Sequence, residues 1–282
     1  MWCMLSFALL TWISCSANTF LSQADALLFH RQGYLLKPKC FSTEESATIE
    51  KLVTNVIDLA IDLTPHTQEE TALYVRGSKI VYRGSSIVRI NGCAGLERQL
   101  QDILSSETML RSFFLLLGVD DLEHLIEQIH PKLPGDGIAF PAHRDIQFRH
   151  AYDPDWTDVL DNGSYAICII PVDPMTKENG GLWIDPQSYD ASSSEELFWI
   201  EAEPGDLLFI HSYLLHGSGP NFSSMSRRTL LTGFCAFGTN HRTYPGAFVN
   251  IRYTLLNDEI ISSKAPWHEE ELIESQGPFS SH

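Results

Sequence analysis

Basic side chains are scarce in this sequence: 19 Lys and Arg stand against 36 Asp and Glu, for a formal net charge of −17. Nucleic acids and anionic membrane surfaces are bound through a basic footprint that releases counterions, so neither is expected as a partner. The chain also lacks an apolar run of the ~20 residues needed to span a bilayer. Trp2 to Ile13 is apolar and Ser14 to Ala17 is small, as in a signal peptide, but no basic residue precedes Arg31. Residues 1–19 are set apart as a leader or extension, and the protein is expected in the cytoplasm. Internal repeats, heptads and low-complexity tracts are missing too, which excludes solenoids and coiled coils. The cysteines Cys3, Cys15, Cys40, Cys93, Cys168 and Cys235 form no CxxC pair and no zinc-finger spacing. Cys168 and Cys235 sit in apolar runs and read as reduced core residues.

What is present is an ordinary globular composition, 44% hydrophobic over 282 residues, sufficient for one sizeable domain placed at residues 20–250. Residues 20–117 read as mainly helical. Phe20 to Arg31 is amphipathic and stops at Gly33, and Ser42 or Thr43 with Glu45 opens a second helix. In that helix Ile49, Leu52, Val53, Val56, Ile57 and Ala60 recur every three to four residues. Tyr74 to Arg89 reads as a hairpin with turns at Gly77 and Gly84. Leu96 to Leu104 and Thr108 to Leu117 are helical again.

From about residue 123 short apolar runs alternate with Pro, Gly, Asn and Asp: 125–129, 165–172, 181–184, 196–200, 206–211 and 228–237. Such spacing predicts a β-sandwich or barrel, and helices followed by a β core make the class α+β. After Ile251 the chain turns into an acidic, Ser-rich tail, with Glu269, Glu270, Glu271 and Glu274, expected to be loosely ordered through residue 282.

His143-Arg144-Asp145 is the first informative triplet. On an extended strand residues two apart share a face, so His143 and Asp145 converge on one ion. His216 offers a third ligand. Two imidazoles and a carboxylate on one face of an octahedron leave three positions open, which suits non-haem Fe(II) that must bind a co-substrate and O₂. An HxD triplet is common by chance, and 11 histidines make His216 unremarkable alone; the residues after it decide. Ser218 lies two residues beyond it, and Arg227 and Arg228 open the next strand, taken as the neighbour of the one carrying His216. An arginine there can fork onto a carboxylate of a dianionic co-substrate, with the Ser218 hydroxyl as second donor. The two arginines should face opposite ways.

The sequence resembles the phytanoyl-CoA dioxygenase family of Fe(II)/2-oxoglutarate oxygenases, which includes ectoine hydroxylases. The resemblance is carried in order by Phe29-His30-Arg31-Gln32-Gly33-Tyr34, His143-Arg144-Asp145, Asn179-Gly180-Gly181-Leu182-Trp183, Pro204-Gly205-Asp206 and His216-Gly217-Ser218-Gly219-Pro220-Asn221. Arg227 stands at the family's eleven-residue spacing from the last histidine. The resemblance implies a double-stranded β-helix (jelly-roll) core flanked by N-terminal helices, and iron held by His143, Asp145 and His216. It implies the 2-oxoglutarate C5 carboxylate on Arg227 and Ser218. Gln128 and His130, on the strand before the triplet, are further co-substrate candidates, with core packing or substrate contact as alternatives. Two departures stand out. Tyr189 replaces a histidine common in relatives, and no basic cluster suits a CoA diphosphate. Asp145 is present where the superfamily's halogenases lack a carboxylate, so hydroxylation or a related oxidation is implied.

The expected reaction couples oxidation of a small organic molecule to conversion of 2-oxoglutarate and O₂ into succinate and CO₂. Phe148, Trp156 and Trp183 are candidate substrate walls or core residues. Arg149 and His150 follow the triplet and could meet an acidic substrate, while His211 reads as structural. Two rivals use the same residues differently: a zinc hydrolase with a bound water as nucleophile, which has no use for Arg227, and a non-catalytic jelly-roll binding protein.

Overall fold

Local side-chain chemistry sets where the helices begin and end. α1 (Gln23–Gln32) starts at Ser22, whose hydroxyl accepts from the Asp25 amide while the Asp25 carboxylate accepts from the Ser22 amide, and stops at Gly33 with φ 78°. The computed structural model describes residues 21–190 and 197–265. The expectations for residues 1–19, including Cys3 and Cys15, and for the acidic residues from Glu269 onward fall outside them. After Gly33 comes β1 (Tyr34–Lys37), a strand within the segment expected to be helical. α2 (Thr43–Asp62) opens with the reciprocal Ser42–Glu45 cap and buries all six of its predicted apolar positions.

The expected hairpin is a three-stranded meander: β2 (Glu70–Val75), β3 (Ser78–Arg83) and β4 (Ser86–Asn91), turning at Gly77 and Gly84, both at positive φ. α3 (Gln99–Leu104) and α4 (Glu107–Leu117) follow, the latter ending at Gly118 with φ 68°. The second half is almost all strand: β5 (Asp121–His130), β6 (Phe140–His143), the short helix α5 (Asp145–Tyr152), β7 (Tyr165–Pro171), β8 (Leu182–Asp185) and β9 (Phe198–Trp199). Then come β10 (Leu207–His211), β11 (Leu215–Ser218), β12 (Thr229–Ala236), β13 (Ile251–Leu256) and β14 (Glu259–Lys264).

These strands form two sheets. The larger runs β1-β10-β7-β12-β5-β4-β3-β2, with the β13–β14 hairpin joined to β5 through β13, and the smaller runs β6-β11-β8-β9. Both are antiparallel throughout and pack as a jelly roll, so the class is α+β with helices flanking a double-stranded β-helix. Between the sheets Ile167, Ile169, Leu208, Ile210 and Leu231 meet Leu182, Ile184 and Leu214. On the outer face of the larger sheet Cys168, Ile170, Phe209, Leu230 and Phe234 pack against α2 and α4. A strand covered on both sides has no polar face, which is why β7 is an unbroken apolar run and is buried throughout.

The expectation of a loose tail from Ile251 is wrong for its first part. β13 pairs with β5 from Ile251 opposite His124 to Thr254 opposite Asp121, and β14 pairs back onto β13. Ile251, Tyr253 and Leu255 alternate and pack on the helical side of the core, a period-two signal hidden in polar composition. Cys40, Cys93, Cys168 and Cys235 are buried, and burial pushes the thiols of Cys93, Cys168 and Cys235 up, which makes those three unreactive. Among the described residues no helix is long and apolar enough to cross a membrane.

Candidate metal centre

His143 ends β6 and His216 lies on β11, directly opposite it in antiparallel register. Cross-strand partners of this kind share a face and approach closely, and the two imidazole centroids are 4.3 Å apart. Asp145 joins them from a different element than expected. The strand ends at His143, only Arg144 stays extended (φ −111°, ψ 134°), and Asp145 is the first residue of α5. The Arg144 side chain holds that corner by donating to the carbonyls of Tyr213 at 2.9 Å and Ser188 at 3.3 Å. An acid in the first turn is also favoured by the helix dipole.

The three side chains offer ligand atoms that all lie within 4.8 Å of one another. Asp145 Oδ1 is 3.8 Å from His143 Nε2 and 4.0 Å from His216 Nε2. Each Nδ1 faces a backbone carbonyl, Pro141 O at 2.7 Å and Leu214 O at 3.0 Å. A carbonyl only accepts, so each Nδ1 carries the proton and each Nε2 presents its lone pair to the shared point. Burial holds the His216 imidazole below its ordinary value and hence neutral, as a ligand must be. Asp145 Oδ2 is buried with no partner. Gly217, next to His216, has no room for a side chain: a Cβ there would lie 2.5 Å from the Trp183 ring and 2.9 Å from Phe140 O.

Ser218 and Arg227 are brought together, but not through adjacent strands. Arg227 precedes β12, whose neighbours are β5 and β7, while β11 lies in the other sheet. The reading of Arg227 as opening the strand beside His216 is therefore corrected: Arg227 and Ser218 belong to different sheets and are linked through Lys132 and the Gly180 carbonyl. Arg227 Nε donates to Gly180 O at 3.2 Å and Nη1 to Thr229 Oγ1 at 3.2 Å, leaving Nη2 buried and unpaired. Arg228 turns the other way, onto Asp173 and Glu50.

Lys132 is the residue that the sequence reading missed. It is fully buried, and its ammonium donates to Ser218 Oγ at 2.7 Å, to Gly180 O at 3.0 Å and to Gly219 O. Burial, then the Arg227 charge, pushes Lys132 down to about 6. Its one signal in the sequence is position, as the sole lysine between Lys79 and Lys177, set between two prolines just after the β5 strand. Asn221 is fully buried and ties the same loop down, donating to the carbonyls of Lys132, Leu133 and Met225.

Gln128 and His130 share the inner face of β5, half-buried, and belong to a polar ladder rather than to the ligand cluster. Asn91 donates to Lys79 O, Gln128 Nε2 donates to Asn91 Oδ1 at 2.8 Å, and His130 Nε2 meets Gln128 Oε1 at 3.2 Å. His130 stacks on Phe140, and burial, with Arg227 next, holds it well below its ordinary value. His211 is buried among Phe29, Tyr189 and Tyr213, outside the cluster, so Tyr189 packs against a structural histidine. Phe148 is exposed beside the His143 ring, Trp156 is buried against Tyr165, and Trp183 lies against Gly217.

A family model for phytanoyl-CoA dioxygenase matches residues 29–229, most of the chain. The chain belongs to the phytanoyl-CoA dioxygenase family. A methylphosphonate hydroxylase from Gimesia maris is 26% identical over 230 residues, spanning 76% of this chain and 80% of that protein. Among solved structures, EctD from S. alaskensis with 2-oxoglutarate and 5-hydroxyectoine matches with a TM-score of 0.65 at 19% identity, over 81% of this chain and 83% of that one. The non-heme alpha ketoglutarate dependent epimerase SnoN from nogalamycin biosynthesis matches with a TM-score of 0.58 at 11% identity, over 82% and 84%. At these identities the structural likenesses establish the shared fold alone. Within the phytanoyl-CoA dioxygenase family, a dioxygenase-type activity is the common ground.

Proposed function

We propose that this protein is an Fe(II)- and 2-oxoglutarate-dependent dioxygenase that hydroxylates a small organic molecule with release of succinate and CO₂. The observation that carries the reading is the convergence of two Nε2 lone pairs and one carboxylate within 4.8 Å, beside two buried basic side chains, Lys132 and Arg227. The donor set fits the metal: two neutral imidazoles with fixed tautomers and one carboxylate with an unpaired oxygen leave half an octahedron open. Bound there with 2-oxoglutarate and O₂, Fe(II) supplies the oxidising power.

The chain's own residues bind, orient and exclude water. Arg227 Nη2 and Ser218 Oγ are the proposed donors to the far carboxylate of 2-oxoglutarate, with the Lys132 charge beside them, in a pocket where charge-assisted bonds are strong. Gln128 and His130 are proposed to line the co-substrate's flank from β5. The catalytic unit is a single domain that includes the β13–β14 hairpin. The Gimesia maris relative is named for methylphosphonate, and a small oxyanion-bearing molecule is the substrate class we propose here.

Anaerobic Fe(II) titration with 2-oxoglutarate tests the reading. A weak visible charge-transfer band is expected, with succinate formed once air and a substrate are admitted. Metal-loaded protein with neither band nor succinate would falsify it, and zinc-supported hydrolysis would replace it.

A pH dependence follows from Lys132. With its ammonium pushed down to about 6, this group is largely neutral at pH 7.5 in the free protein. An arriving dicarboxylate raises that value, so binding takes up a proton. The free and bound forms differ in protonation above about pH 6, and 2-oxoglutarate affinity falls by up to ~10-fold per pH unit as pH rises through that window. Calorimetry in buffers of different ionisation enthalpy should register the uptake, and Lys132→Met should abolish it. Uptake unchanged in Lys132→Met would place the proton elsewhere.

A further inference from the structure

A second set of unpaired polar atoms lies beside Asp145 and is used by nothing described so far. Arg149, one turn further along α5, has its Nε and Nη1 buried with no acceptor. Its guanidinium lies 5.2 Å from the centre of the Tyr165 ring and 4.8 Å from that of Tyr244. Both tyrosines are buried, 1% and 5% exposed; the Tyr165 hydroxyl is without a partner, and the Tyr244 hydroxyl has no well-formed bond beyond its approach to the Arg149 guanidinium itself. Buried donors without acceptors are costly, and native structures rarely leave them so.

The surroundings are built to hold these groups where they are. Tyr165 begins β7 on the inner face, opposite Cys235, and its hydroxyl lies over Gly233 of β12. A Cβ at Gly233 would come within 2.5 Å of that hydroxyl, so a side chain there would displace it. The two aromatic faces stabilise the cation without neutralising it. The acid nearest in charge effect is Asp145, whose Oδ2 accepts nothing from the guanidinium. Arg89 adds a second positive charge. It lies on the same inner face as Asn91, is exposed, and makes no ion pair or side-chain hydrogen bond among the described residues; the charge of Glu70 reaches it, and it is close enough to Arg149 for the two cations to oppose each other. In a chain of net charge −17, two neighbouring arginines without carboxylate bonds mark a place prepared for an anion.

We infer that Arg149, Tyr165 and Tyr244 form the pocket for the oxyanion group of the substrate, a phosphonate or carboxylate, with Arg89 at its mouth. This rests on the oxygenase reading only for calling the ligand a substrate; the pocket itself is a property of these residues. A group of several acceptor oxygens satisfies the guanidinium and both hydroxyls at once, and a neutral molecule of the same size does not. Because Arg149 follows Asp145 by one helical turn, an anion held there sets its attached carbon toward the triad. The pocket thus selects which C–H bond is presented.

The test is calorimetry on full-length protein, anaerobic, with Fe(II) and 2-oxoglutarate, and in parallel on metal-free protein. The probes are methylphosphonate, inorganic phosphate, acetate, methanesulfonate and neutral dimethyl sulfone. At least one oxyanion is expected to bind and the neutral probe not to. Methylphosphonate outranking acetate assigns the phosphonate class, and the reverse assigns the carboxylate class. Arg149→Gln should weaken the favoured oxyanion by on the order of 100-fold, with iron content and 2-oxoglutarate affinity unchanged. Tyr165→Phe and Tyr244→Phe should each weaken it about 5- to 10-fold, and His150→Ala, an exposed position, should not change it. If Arg149→Gln fails to fold, Arg149→Lys and the tyrosine variants decide, because unchanged affinity in all three would overturn the assignment. So would wild-type protein that binds no oxyanion while giving the 2-oxoglutarate charge-transfer band. Oxyanion binding without that band would instead leave the pocket standing and remove the oxygenase reading.

Discussion

Asp145→Ala is expected to abolish succinate formation and to lower Fe(II) affinity by more than ~100-fold, beyond what loss of a mere supporting contact costs. Asp145 supplies the only negative charge among the three converging side chains, and two neutral imidazoles at the end of β6 and on β11 cannot offset a divalent ion's lost hydration. The carboxylate also sits in the first turn of α5, where it contributes roughly 0.3–1 kcal/mol through the helix dipole. Asp145→Asn separates the two effects, because it keeps the size and some hydrogen bonding but removes the charge. Both variants should keep the fold by circular dichroism and lose iron on desalting. Retention of one iron per chain with undiminished succinate in Asp145→Ala would show that the metal is held elsewhere.

Arg227→Ala is expected to raise the 2-oxoglutarate requirement by on the order of 100-fold while leaving iron content unchanged. The size follows from removing one partner of a buried charge-assisted pair, about 3 kcal/mol. The fold should tolerate the change, since Gly180 O keeps its bond from Lys132 and Thr229 remains in β12. Arg227→Lys should recover only part of the loss, because an ammonium cannot make the planar fork. Equal loss of iron and of 2-oxoglutarate binding would mean that Arg227 supports the metal ligands instead. Arg228→Ala provides the contrast: its partners are Asp173 and Glu50, so it should alter stability and not co-substrate affinity.

The sequence by itself determined the parts that depend on short range. Ser22 and Ser42 with their acidic partners mark two helix starts, Gly33 and Gly118 mark two stops, and the spacing of Ile49 to Ala60 gives the buried face of α2. The same holds for the apolar runs that became β7, β10 and β12, because full burial on both faces leaves a continuous signal. His143, Asp145 and His216 could be chosen by type and spacing. Their approach to one point could not, since it depends on β6 lying beside β11 and on the chain leaving the strand at Arg144. β13 and β14 were hidden because strands on a sheet's rim are mostly polar, and pairing with β5, more than 100 residues earlier, is a long-range event. Lys132 escaped, and Arg149 reads only as a possible contact for an acidic substrate, for a related reason. A lysine or arginine in a sequence reads as surface, and only the packing around it shows that it has been stripped of water and left without an acid. Local pattern fixes which segments become helix or strand; tertiary structure decides which distant charges share one small space, because that depends on which strands pair and how the two sheets stack.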